Sequence, residues 1–387
     1  KTGSVSGDIQ GEFLKTIHKT HSMKAKTLIL GVIATALPAF GMAGNELDMV
    51  VGTYTGAGSE GLYSFSFNQA TGVARLRSTL EVKNPSYLAF ARDGRHLYAV
   101  SENNDATAAL NSIAFDPVTG NMSYMNSQLT YGKDPCYVDT DGKVALTANY
   151  SGGSLSVFPI LQNGTLAKMT MQFAGYKGGP DRSRQATPHI HCVCFAPDGF
   201  VLATDFSADQ ILSFRYDKEK GTLSAYGIAA HVKRGSGPRH LVFAPDGRHA
   251  YLISELSGKI TVFDYAKGDL REMQTILADD AHARGGADIH ISPDGRFLYA
   301  STRLKEDGIT LFRVESTGKL VRIGKCRTGS HPRNFVITPN GKYLLVACRD
   351  ADRIQVFSRD KFTGQLHDTR QDIRLSRPVC IRFCPAS

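Results

Sequence analysis

From Leu47 onward the chain is written in short runs of alternating apolar and polar residues, each closed by a Gly- or Asp-containing turn. A period of two sends one face of a strand to a core and the other outward. The clearest unit runs from Gly237 to Leu270. Leu241-Val242-Phe243 reads as a first strand, ended by Pro245-Asp246-Gly247, and Ala250-Tyr251-Leu252-Ile253 returns as a second. Lys259-Ile260-Thr261-Val262-Phe263 makes a third strand and the residues after Gly268 a fourth. A strand phenylalanine recurs at Phe65, Phe115, Phe158, Phe214, Phe263, Phe312 and Phe357, at spacings of 50, 43, 56, 49, 49 and 45 residues. An all-β repeat of this length predicts a seven-bladed β-propeller of four-stranded blades.

The turns carry the same period. Asp93-Gly94, Asp141-Gly142, Asp198-Gly199, Asp246-Gly247 and Asp294-Gly295, with Asn340-Gly341 once, supply positive φ for tight hairpins. Five residues before the turn stand Leu88, Val193, Leu241, Ile289 and Phe335, and three before it Phe90, Phe195, Phe243, Ile291 and Ile337. One packed face is therefore repeated around a ring. Pro378 to Phe383 is a first strand with nothing after it, while Leu47 to Tyr54 is a second strand with no first. Gly61 to Phe67 follows as a third and Val73 onward as a fourth. Both ends are expected to share one blade, the C-terminal strand innermost, which closes the ring and protects its sheet edges.

Ahead of the repeat, residues 1–22 read as upstream sequence and residues 23–43 as an export signal. Lys24 and Lys26 precede the apolar stretch Thr27 to Phe40, and Gly41-Met42-Ala43 offers small residues for cleavage. The stretch falls short of the roughly 20 residues of a stable membrane span. The propeller domain is expected over residues 45–387, in the periplasm or outside the cell, with the cytoplasm as the alternative.

The net charge of +9 is not gathered into a basic run with interleaved aromatics, which argues against nucleic acid and leaves a small anionic ligand open. The seven cysteines are odd in number, and most stand where other repeats place Val, Ala or Leu; buried free thiols are expected rather than disulfides. Cys192-Val193-Cys194 has no second pair at zinc-site spacing, so no metal or other cofactor is expected. The oligomeric state stays open.

Counting from the turns locates the chemistry. Residues seven before a turn and nine after it meet at one mouth of the channel. The first set is Ser86, His191, Arg239, Ala287 and Arg333; the second is Glu102, Tyr150, Ser207, Glu255, Arg303 and Arg349. His189, His240, Asp288 and His290 flank them. A ring of ionisable groups above an apolar core predicts a ligand site, in which Arg239 and Glu255, on neighbouring strands, are placed to pair. His96, His249 and His367 read as solvated surface.

At these residues the chain resembles the seven-bladed propeller lactonase family, which includes bacterial 6-phosphogluconolactonase and fungal carboxymuconate cyclase. The likeness rests on Val51-Gly52-Thr53-Tyr54-Thr55, on Gly178-Gly179-Pro180, Arg184-Gln185 and Pro188-His189-Ile190-His191, and on Gly237-Pro238-Arg239-His240 with Glu255 downstream. It covers roughly residues 47–385 and implies that His191, Arg239, Glu255 and Arg303 carry the site, with a small anionic sugar lactone as ligand.

Opening a δ-lactone needs a base for the attacking water and cationic donors for the oxyanion. His191 is the expected proton carrier. Glu255 either orients it or Arg239, or is itself the base. Arg239 and Arg303 would hold oxyanion or carboxylate charge; Arg184 and Arg333, with His189 and His240 nearby, would bind a phosphate. A Gly-x-Ser-x-Gly elbow is missing, which argues against a covalent serine route. Two other readings use the same residues: lactone formation from an unsaturated diacid, and an exported propeller that binds without turnover. The last predicts a dispersed or plugged cluster.

Overall fold

The computed structural model describes residues 44–385, so the proposed leader and export signal lie outside the described residues. Seven antiparallel sheets make the fold. We number the blades along the chain from the one that holds Glu46–Thr53. Six have the order inner to outer that follows the chain; the first is built as Pro378–Phe383, Glu46–Thr53, Gly61–Asn68 and Val73–Glu81. Val51 faces Ile381 and Met49 faces Phe383 in that closing pair. The ends share a blade with the C-terminal strand innermost, as the orphan half-patterns predicted.

The inner strands pack against one another in one closed cycle around the axis. The seven marker phenylalanines all fall on third strands and are 5% exposed or less, wedged between blades. The unit from Gly237 becomes Pro238–Phe243, His249–Ser254, Lys259–Ala266 and Asp269–Leu277. All seven cysteines are free thiols, four of them buried. Among the described residues no helix is long and apolar enough to cross a membrane.

At three turns the Asp side chain accepts the amides two and three residues on, in Asp93, Asp141 and Asp246, whereas Asp198 accepts from Tyr265 and Lys267 of the next blade. Asp246 Oδ1 takes Arg248 and His249 at 2.8 and 3.2 Å, and Asp93 does the same for Arg95 and His96. His96 and His249 are not simply solvated. Each ring lies on the turn carboxylate, at 2.6 and 2.7 Å, and against the glycine turn of the next blade.

Candidate active site

Each second strand ends by donating one backbone amide to the residue just ahead of its inner strand. The donors are Tyr54, Glu102, Tyr150, Phe206, Glu255, Arg303 and Arg349, and the acceptors the carbonyls of Arg377, Asn84, Asp134, His189, Gly237, Gly285 and His331. This one ladder step brings seven side chains to the same rim. Counting from the turns finds five of them. It names Ser207 where the ladder places Phe206, because the fourth-blade hairpin is one residue shorter: Phe195 faces Val201, whereas Phe243 faces Ala250. It also misses Tyr54, whose partner strand lies at the other end of the chain.

Just inside the rim, the register of most inner strands slips by one residue. A bulge of this kind re-aims a side chain out of the ladder. The slipped residues include Cys136, His191, Arg239 and Arg333. Cys136 goes unseen in the sequence because its turn comes two residues early; its Sγ lies 3.7 Å from His191 Nδ1.

Three arginines converge on one carboxylate. Glu255 Oε2 receives Arg239 Nε at 2.9 Å and Arg303 Nη2 at 3.0 Å, and Oε1 receives Arg184 Nη2 at 2.7 Å. Burial alone would raise the Glu255 pKa, but Arg303, Arg239 and Arg184 outweigh it and bring it down to about 2. The carboxylate is thus a fixed anion with both oxygens engaged, an anchor for guanidiniums rather than a proton acceptor. Three guanidiniums on one carboxylate leave an excess of positive charge, and the Arg239 and Arg303 side chains that carry part of it are only 1% and 6% exposed.

Arg184 reaches this point from the insertion between the third and fourth blades. Its neighbour Gln185 is buried and donates to Asp209 Oδ1 at 2.9 Å and to the Phe206 carbonyl at 3.0 Å. Asp209 in turn takes the amides of Gly235 and Gly237. The Arg-Gln pair therefore divides its work: Gln185 pins the insertion down and Arg184 enters the site. Arg184 Nη2 also donates to Tyr150 at 3.0 Å, and the Tyr150 ring stacks on His189 at 4.1 Å.

His191 is 4% exposed, and its Nε2 has no hydrogen-bond partner among the described residues. Burial, then Arg239, His240 and Arg333, hold its pKa well below that of an ordinary histidine, so the ring is neutral with a lone pair to give. Arg333 stands apart from the Glu255 cluster. It lies 3.7 Å from Glu102 Oε2 and over the Tyr54 ring at 5.5 Å, while Tyr54 donates to the same Glu102 oxygen at 2.9 Å. Arg303 further meets His331 Nε2 at 3.3 Å.

The layer beneath is polar and aromatic rather than the plain apolar core expected. Tyr137 and Tyr87, from the third and second blades, reach His240 of the fifth at ring distances of 5.1 and 5.8 Å, so side chains touch across the axis. His191 lies 5.2 Å from His240, edge to face.

The model of a family described as "Lactonase, 7-bladed beta-propeller" matches residues 48–383. The chain belongs to that lactonase family. A 6-phosphogluconolactonase of Bacillus subtilis (strain 168) is 33% identical to this lactonase, over 86% of the present chain and 97% of its own. One from Formosa agariphila is 36% identical over 84% and 96%. Among solved structures, a candidate 6-phosphogluconolactonase from Bacteroides uniformis superposes with a TM-score of 0.87 at 55% identity, covering 88% and 99% of the two chains. The periplasmic gluconolactonase of Pseudomonas aeruginosa gives 0.83 at 34% identity, covering 88% and 99%.

Proposed function

We propose that this protein hydrolyses the ester bond of an anionic sugar δ-lactone, with His191 taking a proton from the attacking water. One observation carries the reading: a neutral, buried imidazole with a free Nε2 beside guanidiniums that one carboxylate cannot neutralise. Water attack on the lactone carbonyl moves charge to its oxygen. Fixed, buried cationic donors stabilise that charge without having to reorganise. Burial first, and then Arg239 and Arg333, suppress the basicity of His191 in the empty site. An anionic substrate offsets the arginines' part of this and so raises the basicity of His191 on binding.

Arg239 and Arg303, held rigidly on Glu255, are assigned to the developing oxyanion. Arg184 and Arg333, with 36% and 15% of their side chains exposed, stand further out and suit a phosphate or a second carboxylate. A 6-phosphogluconolactone fits this division, and the names of the Bacillus and Formosa relatives support it. Ring closure of an unsaturated diacid is the second reading, favoured by the same surplus of cations. Binding without turnover is disfavoured, because the predicted cluster converges instead of dispersing.

Export through residues 23–43 is part of the proposal, supported by the periplasmic relative. It is tested by the N-terminal sequence of the protein recovered from the periplasm; an intact leader there overturns it. The activity is tested with purified protein on phosphorylated and plain gluconolactone, corrected for spontaneous opening, beside a muconate. Turnover of the muconate alone overturns the hydrolase reading.

A further inference from the structure

We infer that Asp288, in the sixth blade, is a positioning residue that fixes the tautomer of His240 and through it the setting of Arg239. The inference rests on the proposed function only for its kinetic consequence. The Asp288 side chain is 2% exposed and is surrounded by donors. Oδ1 accepts from His240 Nδ1 at 2.7 Å and from the Ile289 amide at 3.0 Å. Oδ2 accepts from His290 Nε2 at 2.9 Å, the Phe335 amide at 3.2 Å and Asn334 Nδ2. A carboxylate is an acceptor on both oxygens, so it satisfies all of them at once.

The consequence falls on His240. Its proton belongs on Nδ1, toward Asp288, which leaves the Nε2 lone pair facing Arg239 Nη1 at 3.2 Å. Arg239 is then held by three acceptors: Glu255 Oε2, the Ala287 carbonyl and His240 Nε2. The opposite tautomer would set an N–H against a guanidinium N–H. Tyr87, Tyr137 and His191 box the ring in, so it cannot swing away to relieve that clash. Asp288 thereby controls an arginine it does not touch.

Asp288→Asn replaces one acceptor by an NH2 group. Phe335, Asn334 and His290 keep the remaining oxygen on their side, so the NH2 turns to His240, and the imidazole proton moves to Nε2. The test is 15N NMR of the His240 imidazole in the full chain, at neutral pH, with kinetics on the same samples. The wild type is expected to report a neutral ring protonated at Nδ1, and D288N one protonated at Nε2. The kcat of D288N on the lactone is expected to fall on the order of 10²-fold, the cost of a misplaced group, with KM changing less. His96→Gln removes an imidazole from a carboxylate at the opposite rim and is expected to leave both tautomer and kcat in place. A wild-type His240 protonated at Nε2 overturns the inference, and so does a D288N that loses rate without changing tautomer. Should D288N fail to fold, the wild-type spectrum decides alone. An expected tautomer shift in a protein that turns over no lactone sinks the proposed function and leaves this inference standing.

Discussion

The two rims of the propeller are made from the ends of the same strands, yet several carboxylates at one are satisfied locally in a way that those at the other are not. At the turn rim, Asp93 and Asp246 bond to amides and imidazoles two or three residues along the chain. At the mouth, Glu255 bonds to Arg239, Arg184 and Arg303, which are 16, 71 and 48 residues away. Asp288 takes donors from the fifth and seventh blades. A locally satisfied carboxylate can be repeated from blade to blade, as in Asp93, Asp141 and Asp246, since the turn itself carries the partners. A carboxylate that depends on distant partners is tied to its one place in the ring and is satisfied only when the blades are packed together. Repetition builds the scaffold, and the exceptions to it build the site.

The comparison breaks hardest if the ring is opened. Removing the chain from Pro378 onward takes away the innermost strand of the first blade. It exposes the edge of Glu46–Thr53, and loss of cooperative melting is expected in calorimetry. A truncated protein that melts like the full chain would show that closure does not hold the mouth together.

Glu255→Gln leaves the buried Arg239 and Arg303 without their counter-charge. A loss of about 3–5 kcal/mol in denaturant unfolding is expected, the usual cost of breaking a buried pair. His191→Ala tests chemistry instead of architecture. A fall in kcat on the order of 10²–10⁴ is expected, with little change in melting. Unchanged lactone turnover would remove His191 from the role assigned to it.

Acid should expose the mouth as the weaker rim. His240 and His331 are held down to about 3, chiefly by burial and then by nearby arginines. The unfolded chain therefore takes their protons first, and stability falls from about pH 6.5 toward 3. Burial raises Asp139 and Asp205 to about 6, so between there and about pH 4 their protonation favours the folded state and offsets part of this loss. Glu255, at about 2, adds a further loss on the order of 3 kcal/mol below its unfolded value. Melting temperature is expected to decline gently to pH 4 and steeply below it. The smallest effect belongs to the turn rim: Asp246→Ala is expected to cost about 1 kcal/mol, the net worth of its local hydrogen bonds, with kcat intact.

How far the sequence could be read follows the same division. The Phe markers, the Asp-Gly turns and the matching half-patterns at the two ends revealed blade number and closure, because each is a local pattern repeated at a fixed period. The Arg239–Glu255 pair was legible because both residues are counted from one turn. Arg303 and Arg333 were placed at the mouth by the same count, and Arg184 by its family motif. Cys136, Phe206 and Tyr54 were not. A turn arriving two residues early, a hairpin shortened by one and a blade split between the chain ends each break the count while the pattern continues.

The sequence by itself determined the seven-blade ring, its strands and the rim where charge would gather, since alternation and turn chemistry act between residues close in the chain. Tertiary structure decided what those charges do. It gave three guanidiniums to Glu255, leaving His191 the neutral lone pair, and put His240 between Asp288 and Arg239. Such choices depend on distances across the axis and on burial, and neither exists until the blades have closed around it.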